Sequence, residues 1–309
     1  MIDFIVFIAA MSALIYGADF IIKESEKIAL HFDIPHFVIG ATLIAFGTSL
    51  PEMAASMTAS YAGKSDMAVA NVVGSVIFNI TMVLGIVFFI TKPIKEERNL
   101  FARDSAWVIV PVIIFFIMVQ DGYIGRFDGI LYLMLMASYL FFLFSDSKET
   151  LEGEIDDEFE KEGFGWGKTL ILLGVGFVLT IGGANFVVES GTNIARTFNV
   201  SEWIIGLFLI SLGTSLPELI VSVVAVKKGN LEMSIGNIIG SNVANFSMVL
   251  GTSSLIHPLS VDLAATRFDM FSMIIASVVL LFILANKLYN KAGAVFLLII
   301  LALFIQHSL

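Results

Sequence analysis

Two glutamates in apolar surroundings are the residues of this sequence best suited to chemistry inside a membrane. Glu52 and Glu218 each end the sequence Gly-Thr-Ser-Leu-Pro-Glu, which occurs at 47–52 and again at 213–218. An ionised carboxylate inside a bilayer is costly unless it is paired or hydrated, and no Lys or Arg lies in the interior of an apolar stretch to pair with it. The partners are therefore protons or bound cations. A protonated glutamate in one interhelical hydrogen bond is the alternative, but it does not explain why the same neighbours recur.

A proline precedes each glutamate, at Pro51 and Pro217. A proline inside a helix lacks an N–H and pushes away the carbonyl four residues earlier, so we expect loosened carbonyls at Gly47 and Gly213. The sequence therefore predicts a locally opened helix ahead of each glutamate. A kinked helix with small residues for close packing is the alternative, and it accounts for the small residues but not for Glu. Hydroxyl groups are added by Thr48, Ser49, Thr214 and Ser215.

A second polar pair follows each glutamate in the next apolar stretch. Ser75 and Asn79 are four residues apart, as are Ser241 and Asn245, so each pair projects from one helix face. Alone, such pairs are typical of hydrogen bonds between helices; repeated beside two glutamates, they favour a ligand role. The pooled donors are all oxygens, which suit hard cations such as calcium and sodium, whereas zinc and copper favour His or Cys. The histidines lie near the ends of the apolar stretches and are interpreted as interfacial: His31, His36, His257 and His307.

The composition places these residues in a membrane protein. Of 309 residues, 58% are apolar and 14% are charged, whereas soluble proteins are about a quarter charged. A cytosolic enzyme, a nucleic-acid-binding protein and a disordered chain are excluded on this ground. The absence of cysteine excludes disulfides and thiol chemistry. Most of the net charge of −10 comes from an acidic segment near the middle of the chain, interpreted as a solvated linker at 145–167.

Ten apolar stretches are long enough to be membrane spans, although the fourth and fifth are short. Their length and continuity favour an all-helical membrane protein over a barrel of alternating strands. The first stretch has no preceding basic residue and is interpreted as a retained helix rather than a signal peptide. The predicted spans are 3–22, 36–60, 67–91, 105–120, 128–144, 168–188, 203–226, 232–256, 268–286 and 291–307.

The basic residues divide unequally between the two sides that ten spans define. Thirteen of the 17 Lys and Arg residues fall on the side of the central linker, and four fall on the other side. Basic residues collect on the cytoplasmic side, which predicts a cytoplasmic linker and both termini outside. Trp107, Trp166 and Trp203 lie near predicted span ends, as interfacial aromatic residues do.

The chain contains an internal duplication at an offset of 166 residues. Between Ile39 and Gly85, 22 of 47 positions are identical to 205–251 without a gap. Each half holds five predicted spans, and because five is odd, the second half is inverted in the membrane. This arrangement is typical of secondary transporters with a substrate site between the repeats. The predicted organisation is a first repeat at 1–144, the linker at 145–167 and an inverted second repeat at 168–309.

The doubled Gly-Thr-Ser-Leu-Pro-Glu, each followed by Asn-x-x-Gly-Ser-x-x-x-Asn, resembles the α-repeats of the sodium/calcium exchanger family, within the calcium/cation antiporter superfamily. The resemblance covers essentially the whole chain and is to the prokaryotic type. It implies ten helices in two inverted five-helix repeats. It also implies Glu52 and Glu218 as calcium ligands with the carbonyls of Thr48 and Thr214. For sodium it implies these groups together with Ala45, Ser49, Ser75, Asn79, Ser211, Ser215, Ser241 and Asn245.

The leading functional hypothesis is an electrogenic antiporter that exchanges Ca²⁺ for Na⁺ by alternating access. Some family members have Asp where this chain has Asn245, and the neutral amide argues against a requirement for potassium. The second hypothesis is a proton/calcium exchanger that uses the same glutamates. A cation channel and an intramembrane enzyme are disfavoured, because the pseudo-symmetry lies inside one chain and no enzyme motif lies at membrane depth. Beyond the transported ions and lipid, neither a cofactor nor an obligate protein partner is expected.

Overall fold

A computed structural model of the chain describes residues 2–91, 98–151, 165–198 and 213–308. Helices dominate, which confirms the all-helical class; a short antiparallel pair, β1 Tyr123–Ile124 with β2 Leu259–Ser260, accompanies them. The helices are α1 Ile2–His31, α2 His36–Thr48, α3 Leu50–Tyr61, α4 Ser65–Ile90, α5 Leu100–Met118, α6 Arg126–Leu151, α7 Trp166–Thr197, α8 Leu216–Lys227, α9 Leu231–Ala244, α10 Gly251–Ile256, α11 Arg267–Ala285 and α12 Lys291–Ser308.

By length and hydropathy, six of the helices in the described residues can cross a membrane. A seventh is added if α2 and α3, which are interrupted at Ser49, count as one span. The predicted span 203–226 begins among residues outside the described ranges. α12 is apolar but shorter than the six candidate spans. The number of ten spans therefore stays a prediction.

Short π-helical turns interrupt three of the predicted spans. They occur at Gly40–Ile44 inside α2, at Asn79–Val83 inside α4 and at Asn245–Leu250 between α9 and α10. A π-turn adds a residue to the helical turn and is frequently found at functional sites. The hydrophobic pattern does not reveal these turns, because they leave the apolar runs continuous.

The chain divides into two compact units. The first comprises Met1–Thr48 and Leu143–Asn237, and its centre is α1, which packs along α7 and α8. A Cβ on Gly17 would lie 2.7 Å from the backbone oxygen of Gly176, and one on Gly183 would lie 2.9 Å from that of Ala10. Glycine is therefore needed at both positions, because the backbones of α1 and α7 are almost in contact.

The second unit comprises Ser49–Phe142 and Ile238–Leu309. Its α4 is the most enclosed of the apolar helices: 78% of its apolar window is buried, against 28% to 44% in the other five candidate spans. α4 packs against α3, α11 and α12. A buried ion pair joins Arg98, just before α5, to Asp104 within α5: Arg98 Nε lies 2.7 Å from Asp104 Oδ2, and Arg98 Nη2 lies 2.8 Å from Asp104 Oδ1.

These units are not the predicted repeats. Each unit takes segments from both 1–144 and 168–309. The compact units are defined by how the helices pack, whereas the repeats are defined by sequence identity. The repeat boundaries therefore stay a prediction. Most of the acidic linker at 145–167 lies outside the described residues.

Candidate cation-binding residues

Each glutamate lies at the start of a helix. α2 ends at Thr48, the chain turns at Ser49, and α3 begins with Pro51 in its first turn. In the second repeat residues 213–215 form a turn, and α8 begins with Pro217 in its first turn. In the first repeat the opening ahead of the glutamate is thus a break between two helices rather than a kink in one helix, and in the second repeat a turn directly precedes the helix that carries the glutamate. Proline suits a first helical turn, where an N–H has no intrahelical acceptor.

The carboxylates themselves are almost completely enclosed. Glu52 is 1% exposed and Glu218 is 0% exposed, and both belong to the first turn of their helices. The N-terminal end of a helix carries partial positive charge from its unsatisfied N–H groups. An ionised carboxylate is more stable there than in the middle of a continuous helix, which is where the apolar pattern alone predicts it.

The first unit contains Glu218 together with buried hydroxyl and amide groups. Thr48 Oγ1 lies 3.3 Å from both the Ala45 carbonyl and Asn237 Oδ1. Ser215 Oγ is buried and has no hydrogen-bond partner in the described part of the chain. Of the predicted ligands in this unit, Ala45, Thr48, Ser215 and Glu218 are buried, Thr214 is half-buried, and Ser211 lies outside the described residues.

The second unit contains Glu52 and five further predicted ligands, all buried: Ser49, Ser75, Asn79, Ser241 and Asn245. Asn79 and Asn245, which correspond to each other across the duplication, each begin a π-helical turn. The structure thus gives the two asparagines the same unusual backbone setting. No property of the sequence other than the repeat itself marks that setting.

Two amide–hydroxyl pairs were not among the predicted ligands. Asn71 Nδ2 donates to Ser56 Oγ at 2.9 Å and to the Glu52 backbone carbonyl at 3.2 Å. At the equivalent positions of the second repeat, Asn237 Nδ2 donates to Ser222 Oγ at 3.1 Å. Ser56 and Ser222 each lie four residues after a glutamate, so these bonds brace the glutamate-bearing helices. Ser56 and Asn71 are identical to Ser222 and Asn237 at the offset of 166 residues, and this identity was the sequence signal that could have revealed the pairs.

Buried carboxylates in the first turns of two helices, in a duplicated and largely helical membrane chain, are typical of ion transporters. The chain belongs to the sodium/calcium exchanger protein family, whose family model matches residues 2–145 and 168–309. That family consists of transporters rather than enzymes. This match, together with the relatives described next, confirms the predicted resemblance to the prokaryotic members of the family.

Two curated relatives are similar over nearly their full length. An uncharacterised membrane protein of Methanocaldococcus jannaschii is 35% identical over 292 residues, covering 94% of this chain and 93% of the relative. The sodium/calcium exchanger MaX1 of Methanosarcina acetivorans is 28% identical over 322 residues, covering 92% of each. A solved structure of the sodium-calcium exchanger NCX_Mj, soaked with Na⁺ and Sr²⁺, matches with a TM-score of 0.84 at 31% identity, covering 98% of this chain and 97% of that one.

Proposed function

We propose that the chain is a secondary active antiporter that exchanges Ca²⁺ for Na⁺ by alternating access. One observation carries the proposal: a duplicated motif ends in a glutamate that is buried in the first turn of a helix, directly after a turn of the chain. Broken helices that present backbone carbonyls and helix ends are the usual ion sites of secondary transporters. The similarity to MaX1 and NCX_Mj, both named as sodium/calcium exchangers, supports the choice of ions.

The ligands of this proposal are those that the resemblance implies. Glu52 and Glu218, with the Thr48 and Thr214 carbonyls, bind calcium. Sodium uses these groups and adds neutral oxygens, with Ala45 and Ser211 acting through their carbonyls. Burial of ten of the twelve residues supports the assignment, since buried oxygens without water need a cation or a hydrogen bond. The added sodium ligands are Ala45, Ser49, Ser75, Asn79, Ser211, Ser215, Ser241 and Asn245.

The proposed topology has ten spans in two inverted five-helix repeats, 1–144 and 168–309. The odd number of spans in each repeat and the distribution of Lys and Arg support this arrangement. Both termini then face outward, and the acidic linker at 145–167 is cytoplasmic. The membrane is the cytoplasmic membrane, and the partners are the two ions and lipid, without a cofactor.

A proton/calcium exchanger is the alternative function, because buried glutamates can carry protons as well as cations. The motif Thr-Ser-Leu-Pro-Glu and the additional neutral oxygens favour sodium as the coupling ion, since a proton carrier needs no set of hydroxyl and amide ligands. The two functions differ in the ion gradient that drives calcium movement.

Uptake of calcium-45 into proteoliposomes tests the proposal. Vesicles loaded with sodium should accumulate calcium when diluted into sodium-free buffer. Vesicles loaded with lithium or potassium, or given only a pH gradient, should not. Uptake driven equally well by the pH gradient alone would contradict sodium exchange and favour the proton-coupled alternative. Uptake that neither saturates nor needs a counter-ion would contradict antiport altogether.

A further inference from the structure

The two repeats differ at one polar position beside the predicted ligands. The sequence Gly-Ser-Val-Ile-Phe-Asn at 74–79 corresponds to Gly-Ser-Asn-Val-Ala-Asn at 240–245. The glycine, the serine and the final asparagine are the same in both. Asn242, however, has Val76 as its counterpart, so only the second repeat carries an additional amide one turn before its final asparagine.

The additional amide holds the asparagine of the other repeat. Asn79 Nδ2 donates to Asn242 Oδ1 at 3.1 Å, and both side chains are buried. Asn79 Oδ1 is buried and has no hydrogen-bond partner within the described ranges. Because the amide nitrogen is engaged, the orientation of the Asn79 side chain is set, and its carbonyl oxygen is the end left for a ligand.

Asn245 has no such support. It is 1% exposed, and neither Nδ2 nor Oδ1 has a hydrogen-bond partner among the described residues. The part of α4 before Asn79, Ser65–Phe78, contacts the π-turn Asn245–Leu250. On that side the counterpart of Asn242 is Val76, whose side chain can neither donate nor accept a hydrogen bond.

We propose that Asn242 is a positioning residue that presents the Asn79 carbonyl oxygen to sodium, while the Asn245 amide must be oriented by the ion itself. The inference rests on the proposed function, in which both asparagines are sodium ligands. A cation is attracted by the carbonyl end of an amide and repelled by its NH₂ end. An asparagine held with its oxygen available therefore binds without reorientation, and one that is free to turn binds more weakly. The two repeats then contribute unequally to sodium binding despite their matching ligands.

The test compares sodium and calcium dependence in reconstituted full-length protein. Asn242→Val makes the repeats alike at this position and releases the Asn79 amide. Loss of one hydrogen bond that orients a ligand should raise the half-saturating sodium concentration about three- to tenfold, while that for calcium changes less than about twofold. Asn286→Val is the matched control, because Asn286 is exposed and its amide donates to the Phe282 carbonyl at a helix end. It should behave as the unmodified protein.

Two further variants separate positioning from a general loss of packing. In the Asn79→Ala background, adding Asn242→Val should cause no further change in sodium dependence. Adding Val76→Asn to Asn242→Val supplies a partner for Asn245 and should restore part of the sodium affinity. If Asn242→Val does not fold, Asn242→Ala removes the same acceptor oxygen without adding another and is measured against the same expectation.

The outcomes distinguish this inference from the proposed function. If Asn79→Ala weakens sodium binding and Asn242→Val does not, the positioning role is wrong and the ligand assignment stands. Equal loss of sodium and calcium affinity in Asn242→Val, or effects that add fully to those of Asn79→Ala, would also overturn it. If Asn79→Ala leaves sodium dependence unchanged, Asn79 is not a ligand and the assignment in the proposed function fails as well.

Discussion

At the scale of single residues, Glu52 and Glu218 combine two properties that normally exclude each other. They are fully buried, and they carry side chains that ionise in water. Their place in the first turn of α3 and α8 offsets part of the desolvation cost through the partial positive charge of the helix end. In the proposed function a bound cation offsets the remainder, so the energetic cost of each carboxylate is linked to the ion it would carry.

Glu52→Gln and Glu218→Gln should each abolish sodium-driven calcium uptake. Glutamine keeps the shape and an oxygen but removes the charge that a divalent cation requires. The variants should still insert and fold, because a buried amide costs less than a buried carboxylate. Calcium-45 uptake and thermal stability in detergent measure the two effects. Glu189→Gln, an exposed glutamate on α7, is the control. Near-normal uptake in either site variant would refute the assignment.

Asn245→Asp should make sodium dependence sensitive to pH. The substitution adds a titratable group where the amide has no hydrogen-bond partner in the described part of the chain. Sodium affinity should fall as the pH is lowered, since protons and sodium then compete for the same carboxylate. The measurement is half-saturating sodium over a pH series, with Asn286→Asp as an exposed control. If Asn245→Asp changes neither the half-saturating sodium concentration nor its dependence on pH, residue 245 does not contact the transported ions.

At the scale of elements, the sequence predicts some features of the site and conceals others. The opening ahead of each glutamate follows from Pro51 and Pro217, because proline chemistry is local. The π-turns that begin at Asn79 and Asn245 were not predictable, since one inserted residue does not alter an apolar run. The braces from Asn71 and Asn237 also escaped prediction, because which serine an amide reaches depends on how two helices pack.

Asn71→Ala should weaken calcium exchange without abolishing it. The substitution removes the bonds to Ser56 Oγ and to the Glu52 carbonyl, each worth about 0.5–1.5 kcal/mol. Half-saturating calcium should rise, and Ser56→Ala should add little in the Asn71→Ala background. Thr58→Ala is a control on the same helix, because its exposed hydroxyl donates to the Ala54 carbonyl within α3. Full additivity of the Asn71 and Ser56 effects would argue against a shared brace.

The close pairing of α1 and α7 suggests which elements move during transport. We expect these two helices, the first and sixth predicted spans, to slide together against the segments that carry the ligands. The absence of cysteine allows engineered pairs to be linked selectively. Linking Asp19→Cys to Lys228→Cys, across a contact of 2.6 Å between α1 and the end of α8, should stop transport.

The matched control lies between α1 and α7 themselves. Asp3 and Asn193 contact each other at 3.2 Å, and the pair is exposed. Linking Asp3→Cys to Asn193→Cys with the same bifunctional reagent should leave transport largely intact, because the two helices move as one body. Transport that survives the Asp19–Lys228 link would refute the sliding movement. A block by both links would show that α1 and α7 move separately.

At the scale of the whole molecule, the duplication was the most informative feature of the sequence. It predicted paired glutamates, paired prolines and paired asparagines, and the structure gives each pair an equivalent local backbone. The division into compact units was not predictable, because it follows packing that cuts across both repeats. The two repeats also differ at Asn242, which accepts a hydrogen bond from the Asn79 amide and has Val76 as its counterpart.

The charge of the loaded protein determines how the membrane potential acts on transport. Glu52 and Glu218 together carry −2, which one calcium ion neutralises, and the amides of Asn79 and Asn245 add no charge. With three sodium ions, the number that the family resemblance implies, the loaded ligands carry +1. Movement of that charge across the membrane is worth about 2.3 kcal/mol per 100 mV. Calcium uptake in exchange for internal sodium should therefore be accelerated by an inside-positive potential and should proceed without potassium.

Proteoliposomes in potassium-free buffer, with the potential set by a gradient of a permeant anion, provide the measurement. The initial rate of calcium uptake should rise as the potential becomes more inside-positive. This holds for every internal sodium concentration at which movement of the sodium-loaded protein limits the rate. Calcium/calcium exchange in the same vesicles is the internal control. Because the calcium-loaded ligands are neutral, the rate of that exchange should not depend on the membrane potential. A strict need for potassium would mean that a further cation moves with calcium despite the neutral Asn245. A sodium-driven rate that is indifferent to potential would mean that only two sodium ions balance each calcium.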